Sequence, residues 1–159
     1  MGEHQPPSFL ERLYHHVVDH RVSPERAARR RLVLLVDDEP SLCKQVSEHL
    51  MNLGFEVNTV TNGDDALSAL RERRPDLLCL DLSLPRTSGY EVCEQIRNDP
   101  DLKDLVVLMT SERASIEARA YSFEAGADAY LNKPYTLDEL AGEVQRLLNG
   151  PVPTGRRYL

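Results

Sequence analysis

The sequence predicts an α/β fold, a doubly wound sheet of five parallel strands with helices on both faces. Two observations carry this prediction. From Leu32 onward, short apolar runs alternate with amphipathic stretches, the pattern of successive βαβ units. The runs are also apolar throughout, as in LVLLV at 32–36, which suits strands covered on both faces.

The elements follow in order. The first strand is 32–36, and a helix is expected from Pro40 to Leu53 because Leu42, Val46, Leu50 and Leu53 recur on one face. Gly54 closes that helix as the residue past its C-terminus. A second strand, Phe55 to Val60, leads to a helix over Asp64–Arg73, which Pro75 ends before strand three at Leu77–Leu80. Helix three covers Gly89–Asn98, strand four Leu105–Met109, and helix four Ser115–Glu124 with Gly126 beyond its end. Strand five is Ala129–Leu131 and helix five Leu137–Leu148. This alternation divides the chain into an extension at 1–31, one domain at 32–148 and a tail at 149–159.

Composition narrows the function. Hydrophobic residues make up 41% of 159 residues, enough for one core and one domain. The formal charge of −7 is uneven: residues 1–31 hold six arginines against four acids and are +2, so the remainder is −9. An acidic body argues against general nucleic-acid binding, and direct DNA contact is not expected. Cys43, Cys79 and Cys93 form no CxxC pair and no zinc set, and read as small core residues in a reducing compartment. The opening residues lack a long apolar run, so neither a signal peptide nor membrane insertion is expected, and the protein is placed in the cytoplasm.

Residues 8–31 carry a pattern of their own. Ser8 and Glu11 form a capping box, with Phe9, Leu13 and Val17 on one stripe and Leu10, Tyr14 and Val18 beside it, so a helix is expected over 9–20. Ser23-Pro24 starts a second short helix that carries Arg26, Arg29, Arg30 and Arg31 into strand one. The apolar stripe either packs on this chain or on a second copy, or it docks a partner; membrane or nucleic-acid contact is a weaker alternative.

The chemistry gathers at strand ends. Strand one ends in Asp37-Asp38-Glu39, strand three in Asp81, strand four in Thr110 and strand five in Lys133. In open parallel sheets, ligands bind beyond the carboxyl ends of the strands, where strand order reverses. With order 2-1-3-4-5, Asp37, Asp38 and Asp81 converge there, and three close carboxylates call for a cation. An all-oxygen site of this kind suits Mg²⁺. Thr110 and Lys133 add a hydroxyl and an ammonium, the groups that phosphoryl transfer needs for positioning and charge neutralisation.

The segments LVLLVDDEP, PDLLCLDLSLPRTSGYEV, VVLMTSERA and AGADAYLNKPY resemble the receiver domain of two-component response regulators, of the single-domain chemotaxis type, over Leu32–Leu148. That resemblance implies a flavodoxin-like (βα)5 fold and a phosphorylation-dependent signalling switch rather than a conventional enzyme. By it, Asp81 would be the phosphoacceptor, Asp38 a direct Mg²⁺ ligand, Asp37 a ligand through water, and the Ser83 backbone carbonyl a third protein ligand. Lys133 would contact the phosphoryl group, Thr110 would hydrogen-bond one of its oxygens, and Tyr130 would be the aromatic that changes rotamer. The Lys133–Pro134 bond would be cis. Ser111 stands where the family usually has Ala or Gly, and Ser83 is less usual than Asn or Met at its place. Both would flank the path of a water attacking the phosphoryl group, and Glu112 is a further candidate for influencing it.

The implied partners are a histidine kinase or histidine phosphotransfer protein and an effector protein bound on the helix 4/strand 5/helix 5 face. A homodimer through that face or through the extension is an alternative. No output domain is read after Leu148, so output is expected through a partner or by onward phosphotransfer. Two other readings compete. A phosphorylation-independent adaptor is disfavoured because every expected catalytic position is filled. A small phosphatase using Asp81 as a nucleophile is disfavoured because Ser83 breaks the Asp-x-Asp pair and no inserted cap could enclose a substrate.

Overall fold

The structure is a computed structural model and describes residues 29–149. Five strands and five helices alternate among these residues. They are β1 (Leu32–Val36), α1 (Pro40–Asn52), β2 (Glu56–Val60), α2 (Gly63–Glu72), β3 (Leu77–Asp81), α3 (Gly89–Asn98), β4 (Val106–Ser111), α4 (Ile116–Ala125), β5 (Ala129–Asn132) and α5 (Leu137–Asn149). All pairings are parallel and the order is β2-β1-β3-β4-β5, as expected from the sequence.

Two apolar layers hold the sheet, one on each face. Leu34, Val36, Leu78, Leu80, Val107 and Met109 point to the side covered by α2, α3 and α4. Val33, Leu35, Leu77, Cys79 and Leu108 alternate with them and meet Val46 and Leu50 of α1 and Leu140 and Val144 of α5. β1 and β3 are buried at every position, which is why their sequences are apolar without alternation.

Helix ends explain the small differences from the expected boundaries. Asn62 accepts the Asp65 N–H and Ser115 the Ala118 N–H, so each is an N-cap and α2 and α4 begin at Gly63 and Ile116. At the end of α1, the Gly54 N–H reaches Met51 O and the Phe55 N–H reaches Leu50 O, with Gly54 at φ 96°. This left-handed closure is the one that Gly54 supplies from sequence. Thr136 Oγ1 accepts the Glu139 N–H and caps α5.

Arg29, Arg30 and Arg31 are not helical, against the sequence expectation. The reason lies in the ladder: Arg31 O already accepts the Glu56 N–H at 2.9 Å, so the backbone has joined the sheet before β1 formally starts. The expected helix over 9–20, the rest of the second short helix and residues 150–159 of the tail lie outside the described residues.

Candidate functional site

The ladder runs up to the carboxyl rim of the sheet and fixes the backbone there. Asp37 N–H donates to Val60 O at 3.2 Å, Leu82 N–H to Thr110 O at 2.9 Å, and Lys133 N–H to Ser111 O at 2.8 Å. Strand alternation then sets direction. Asp37 lies two residues past Leu35, Asp81 two past Cys79, Thr110 two past Leu108, and Lys133 two past Leu131, all on the face covered by α1 and α5. Asp81 and Thr110 are paired in register, side by side.

The outcome is a compact acidic cluster. One carboxylate oxygen each from Asp37, Asp38 and Asp81 lie within 4.8 Å of one another. Asp37 and Asp81 are buried, at 1% and 4% exposure, while Asp38 is exposed. Lys133 enters from β5, its Nζ 2.6 Å from Asp37 Oδ2 and 3.5 Å from Asp81 Oδ2. The remaining oxygens are tied locally: Asp37 Oδ1 accepts the Glu39 N–H at 3.0 Å, and Asp81 Oδ1 the Ser83 N–H at 3.2 Å.

Burial drives the Asp81 carboxyl up to about 6, against the pull of the Lys133 ammonium; the Asp37 charge adds to the rise and the Ser83 N–H opposes it. Burial works against the Lys133 ammonium too, but its hydrogen bond to Asp37 and the charges of Asp81 and Asp37 outweigh this and raise its pKa. Three carboxylates face one ammonium, and negative charge is left over. Asp38 makes no hydrogen bond or ion pair among the described residues, so its oxygens remain available to a cation.

The other sequence-predicted residues take distinct places. Thr110 is buried at 2% exposure, and Ser83 is exposed two residues beyond Asp81. Tyr130 sits on the opposite face, opposite Met109 in register, and is buried with its hydroxyl donating to the Arg113 carbonyl. Ser111 is fully buried and its Oγ accepts the Arg113 N–H. Glu112 is exposed and lines a cavity of about 390 Å³ with Glu39, Leu42, Lys133, Pro134 and Tyr135. The Lys133–Pro134 bond is cis. The three cysteines are buried and none is in a disulfide, and burial pushes the Cys43 thiol up to about 11 and the Cys79 thiol up to about 12, as inert core groups.

Sequence reasoning missed Gly89 and Asn132. A Cβ on Gly89 would lie 2.5 Å from Asp81 O and 2.8 Å from Leu82 Cα, so only glycine lets α3 pack this closely on the acidic strand end. The Ser-Gly at 88–89 gave a helix start and no hint of that approach. Asn132 donates to the Arg113 carbonyl at 2.9 Å, which the residue before a lysine does not announce.

A family model for the response regulator receiver domain matches residues 33–145. The chain is 37% identical to the phosphate regulon transcriptional regulatory protein PhoB of Rhizobium meliloti over 121 residues, 76% of this chain and 53% of that protein. It is 34% identical to the DNA-binding dual master transcriptional regulator RpaA of Synechocystis over 116 residues, 73% of this chain and 48% of that one. The chain thus spans about half the length of these curated relatives. Among solved structures, the chemotaxis response regulator CheY4 of Vibrio cholerae superimposes with a TM-score of 0.72 at 31% identity, covering 76% of this chain and all (100%) of that one. The receiver domain of a signal transduction histidine kinase from Syntrophus aciditrophicus gives a TM-score of 0.71 at 31% identity over 78% of this chain and 94% of that one. With the sheet order, the acidic rim and the extent of these matches in agreement, the chain belongs to the response regulator receiver domain family of two-component signalling.

Proposed function

We propose that the chain is a phosphorylation-dependent switch in which Asp81 takes a phosphoryl group from a histidine kinase or a histidine phosphotransfer protein. It then signals by binding a protein on the face formed by α4, β5 and α5. The observation that carries this is Lys133 Nζ seated between Asp37 and Asp81, 2.6 and 3.5 Å away, in a rim that holds three carboxylates.

In the transfer, an Asp81 carboxylate oxygen attacks the donor's phosphorus. The O–P bond forms, the N–P bond of the phosphohistidine breaks, and its electron pair stays on the imidazole nitrogen. Lys133 holds positive charge beside the acceptor, and Thr110, buried next to Asp81, offers a hydroxyl to a phosphoryl oxygen. The donor set fits Mg²⁺: Asp38 and Asp81 would bind directly, Asp37 through water, and Ser83 through its backbone carbonyl. When bound, the ion supplies neutralisation of the carboxylates and of the phosphoryl oxygens. The acceptor is the chain's own side chain, so this is a switch that turns itself over and not a conventional enzyme.

For the output, Thr110 drawn toward the phosphoryl group and Tyr130 across the sheet would alter the α4, β5, α5 face. That face is suited to a protein partner because α4 leaves Ile116 83% exposed. A homodimer on the same face is the alternative occupant. The acidic surplus of the body argues against direct DNA contact by residues 32–148. None of the described helices is long and apolar enough to cross a membrane, and a cytoplasmic location is part of the proposal.

The test is labelling by acetyl phosphate in the presence of Mg²⁺, read by intact mass. One phosphoryl group is expected on the parent and none on Asp81→Asn. Asp38→Ala is expected to raise the Mg²⁺ needed for half-labelling by about tenfold or more, since even outer partners of a metal site cost that much. Equal labelling of the Asn variant would place the acceptor elsewhere.

A further inference from the structure

Ser111 departs from the residue its family resemblance leads one to expect, and the phosphoacceptor chemistry leaves its hydroxyl unused. The geometry gives it a different task. Its Oγ, on a side chain with 0% exposure, accepts the Arg113 N–H at 2.9 Å. The carbonyl of the same residue accepts Asn132 Nδ2 at 2.9 Å and the Tyr130 hydroxyl. A carbonyl oxygen has two lone pairs, so both donors can be served at once. The backbone of Arg113 is therefore held at both its N–H and its C=O by side chains of β4 and β5.

This matters because the surrounding loop has little else to hold it. Glu112, Arg113 and Ala114 are exposed, and Ser115 is occupied as the N-cap of α4. A hydroxyl that closes on the N–H two residues ahead is a local turn that Ala or Gly could not make. We propose that Ser111 and Asn132 are positioning residues for Tyr130. They fix the Arg113 backbone where the Tyr130 hydroxyl meets it, and so bias the ring toward its buried orientation before any phosphoryl group is present. The proposal rests on the reading of Tyr130 as the switch aromatic and says what sets its resting state. Phosphorylation then acts on a loop already latched, and Ser111 and Asn132 determine how far the equilibrium leans inward.

The test uses the full chain labelled with 3-fluorotyrosine, free of metal and phosphodonor, with the Tyr130 resonance assigned by Tyr130→Phe. Amide exchange at Arg113 is measured on the same protein. The parent is expected to show most of Tyr130 in a buried environment and a minority in an exposed one, which beryllofluoride removes. Ser111→Ala should exchange the Arg113 amide about fivefold faster, the loss of one ordinary hydrogen bond, and move more of Tyr130 to the exposed environment. Asn132→Asp keeps the side chain's shape and removes the donor, and must itself shift the Tyr130 populations even where Ser111→Ala folds poorly. Adding Mg²⁺ with beryllofluoride should return the ring to the buried environment in both variants. A parent ring that is mostly exposed, or variants that leave Arg113 exchange and the Tyr130 resonance unchanged, overturns the latch. Variants whose ring is released but stays released with beryllofluoride overturn instead the reading of Tyr130 as the switch, and the proposal with it.

Discussion

Asp81 and Asp37 carry carboxylates that folding takes almost wholly out of water, with one lysine to compensate them. Burial raises the Asp81 carboxyl, and the Lys133 ammonium, 3.5 Å away, offsets only part of that rise. A carboxyl whose folded pKa is raised from 3.8 to about 6 favours the folded state only while protonated. That contribution is complete below about pH 4 and is lost as the pH rises through about 6. In Mg²⁺-free buffer, Asp81→Asn is therefore expected to be more stable than the parent at pH 7 by about 1–2 kcal/mol, discounting for solvent screening. The gap should close by pH 4 in urea titrations; equal stability at pH 7 would contradict it. In the proposed switch, Thr110 would have the complementary role. Thr110→Ala is expected to accept the phosphoryl group at Asp81, since the charge there is met by other groups, while α4 loses its response. The check is intact-mass labelling together with hydrogen exchange of α4 with and without beryllofluoride; a full α4 response in the variant would exclude transmission through the hydroxyl.

Among the helices, α4 is the least committed to the core. It buries Ala118 and Ser122, whereas α3 buries Gly89, Val92, Cys93 and Ile96. Its start is held by the Ser115 cap and by the Tyr90 hydroxyl, which donates to Ala118 O at 3.2 Å. Its end is anchored much more firmly. Gly126, at φ 110°, turns the chain, and Arg97 donates from Nε and Nη2 to the Gly126 carbonyl at 2.9 and 2.7 Å. The same guanidinium reaches Leu105 O at 2.7 Å and Asp128 Oδ2 at 3.3 Å, and the Asp128 side chain is fully buried. This hub lies at the end of the sheet away from the acidic rim, so α4 is tied at its far end and freer near the rim. Arg97→Ala leaves the Asp128 carboxylate without its guanidinium, and the expected loss is about 3 kcal/mol. Exchange should quicken in the last turn of α4 while labelling of Asp81 at low temperature persists. A stability change under about 1 kcal/mol would show that the hub is not what anchors the helix.

At the scale of the molecule, residues 31–149 contain both apolar layers, the whole sheet and every site residue. Arg31 belongs with them, since its Nη1 caps α5 by donating to Leu148 O at 2.7 Å. Removal of residues 1–30 is therefore expected to leave the rate of acetyl phosphate labelling within about twofold of the parent, because the described partners of Asp37, Asp81 and Lys133 lie within residues 31–149. A labelling rate lowered tenfold would mean that the extension takes part in the chemistry. The same truncation decides between the two uses of the apolar stripe at Phe9, Leu13 and Val17. A structural use lowers the melting temperature or dissolves a dimer, and a docking use leaves both unchanged.

The sequence by itself determined the βα alternation, the parallel sheet and the acidic rim. These depend on local pattern: fully apolar runs mark strands covered on both faces, and the residues just past each run must emerge at one edge. Asp37, Asp81, Thr110 and Lys133 were legible for that reason. Element ends were legible only to within a residue or two, because hydrogen bonds accepted by the Asn62 and Ser115 side chains decide them. Tertiary structure alone decided that Lys133 lies nearer to Asp37 than to Asp81, that Gly89 presses on the Asp81 carbonyl, and that Ser111, Tyr130 and Asn132 converge on Arg113. Lys133 and Asp37 stand 96 positions apart. No periodicity encodes such a contact; it follows from strand register, from which face each side chain takes, and from how far that side chain can reach.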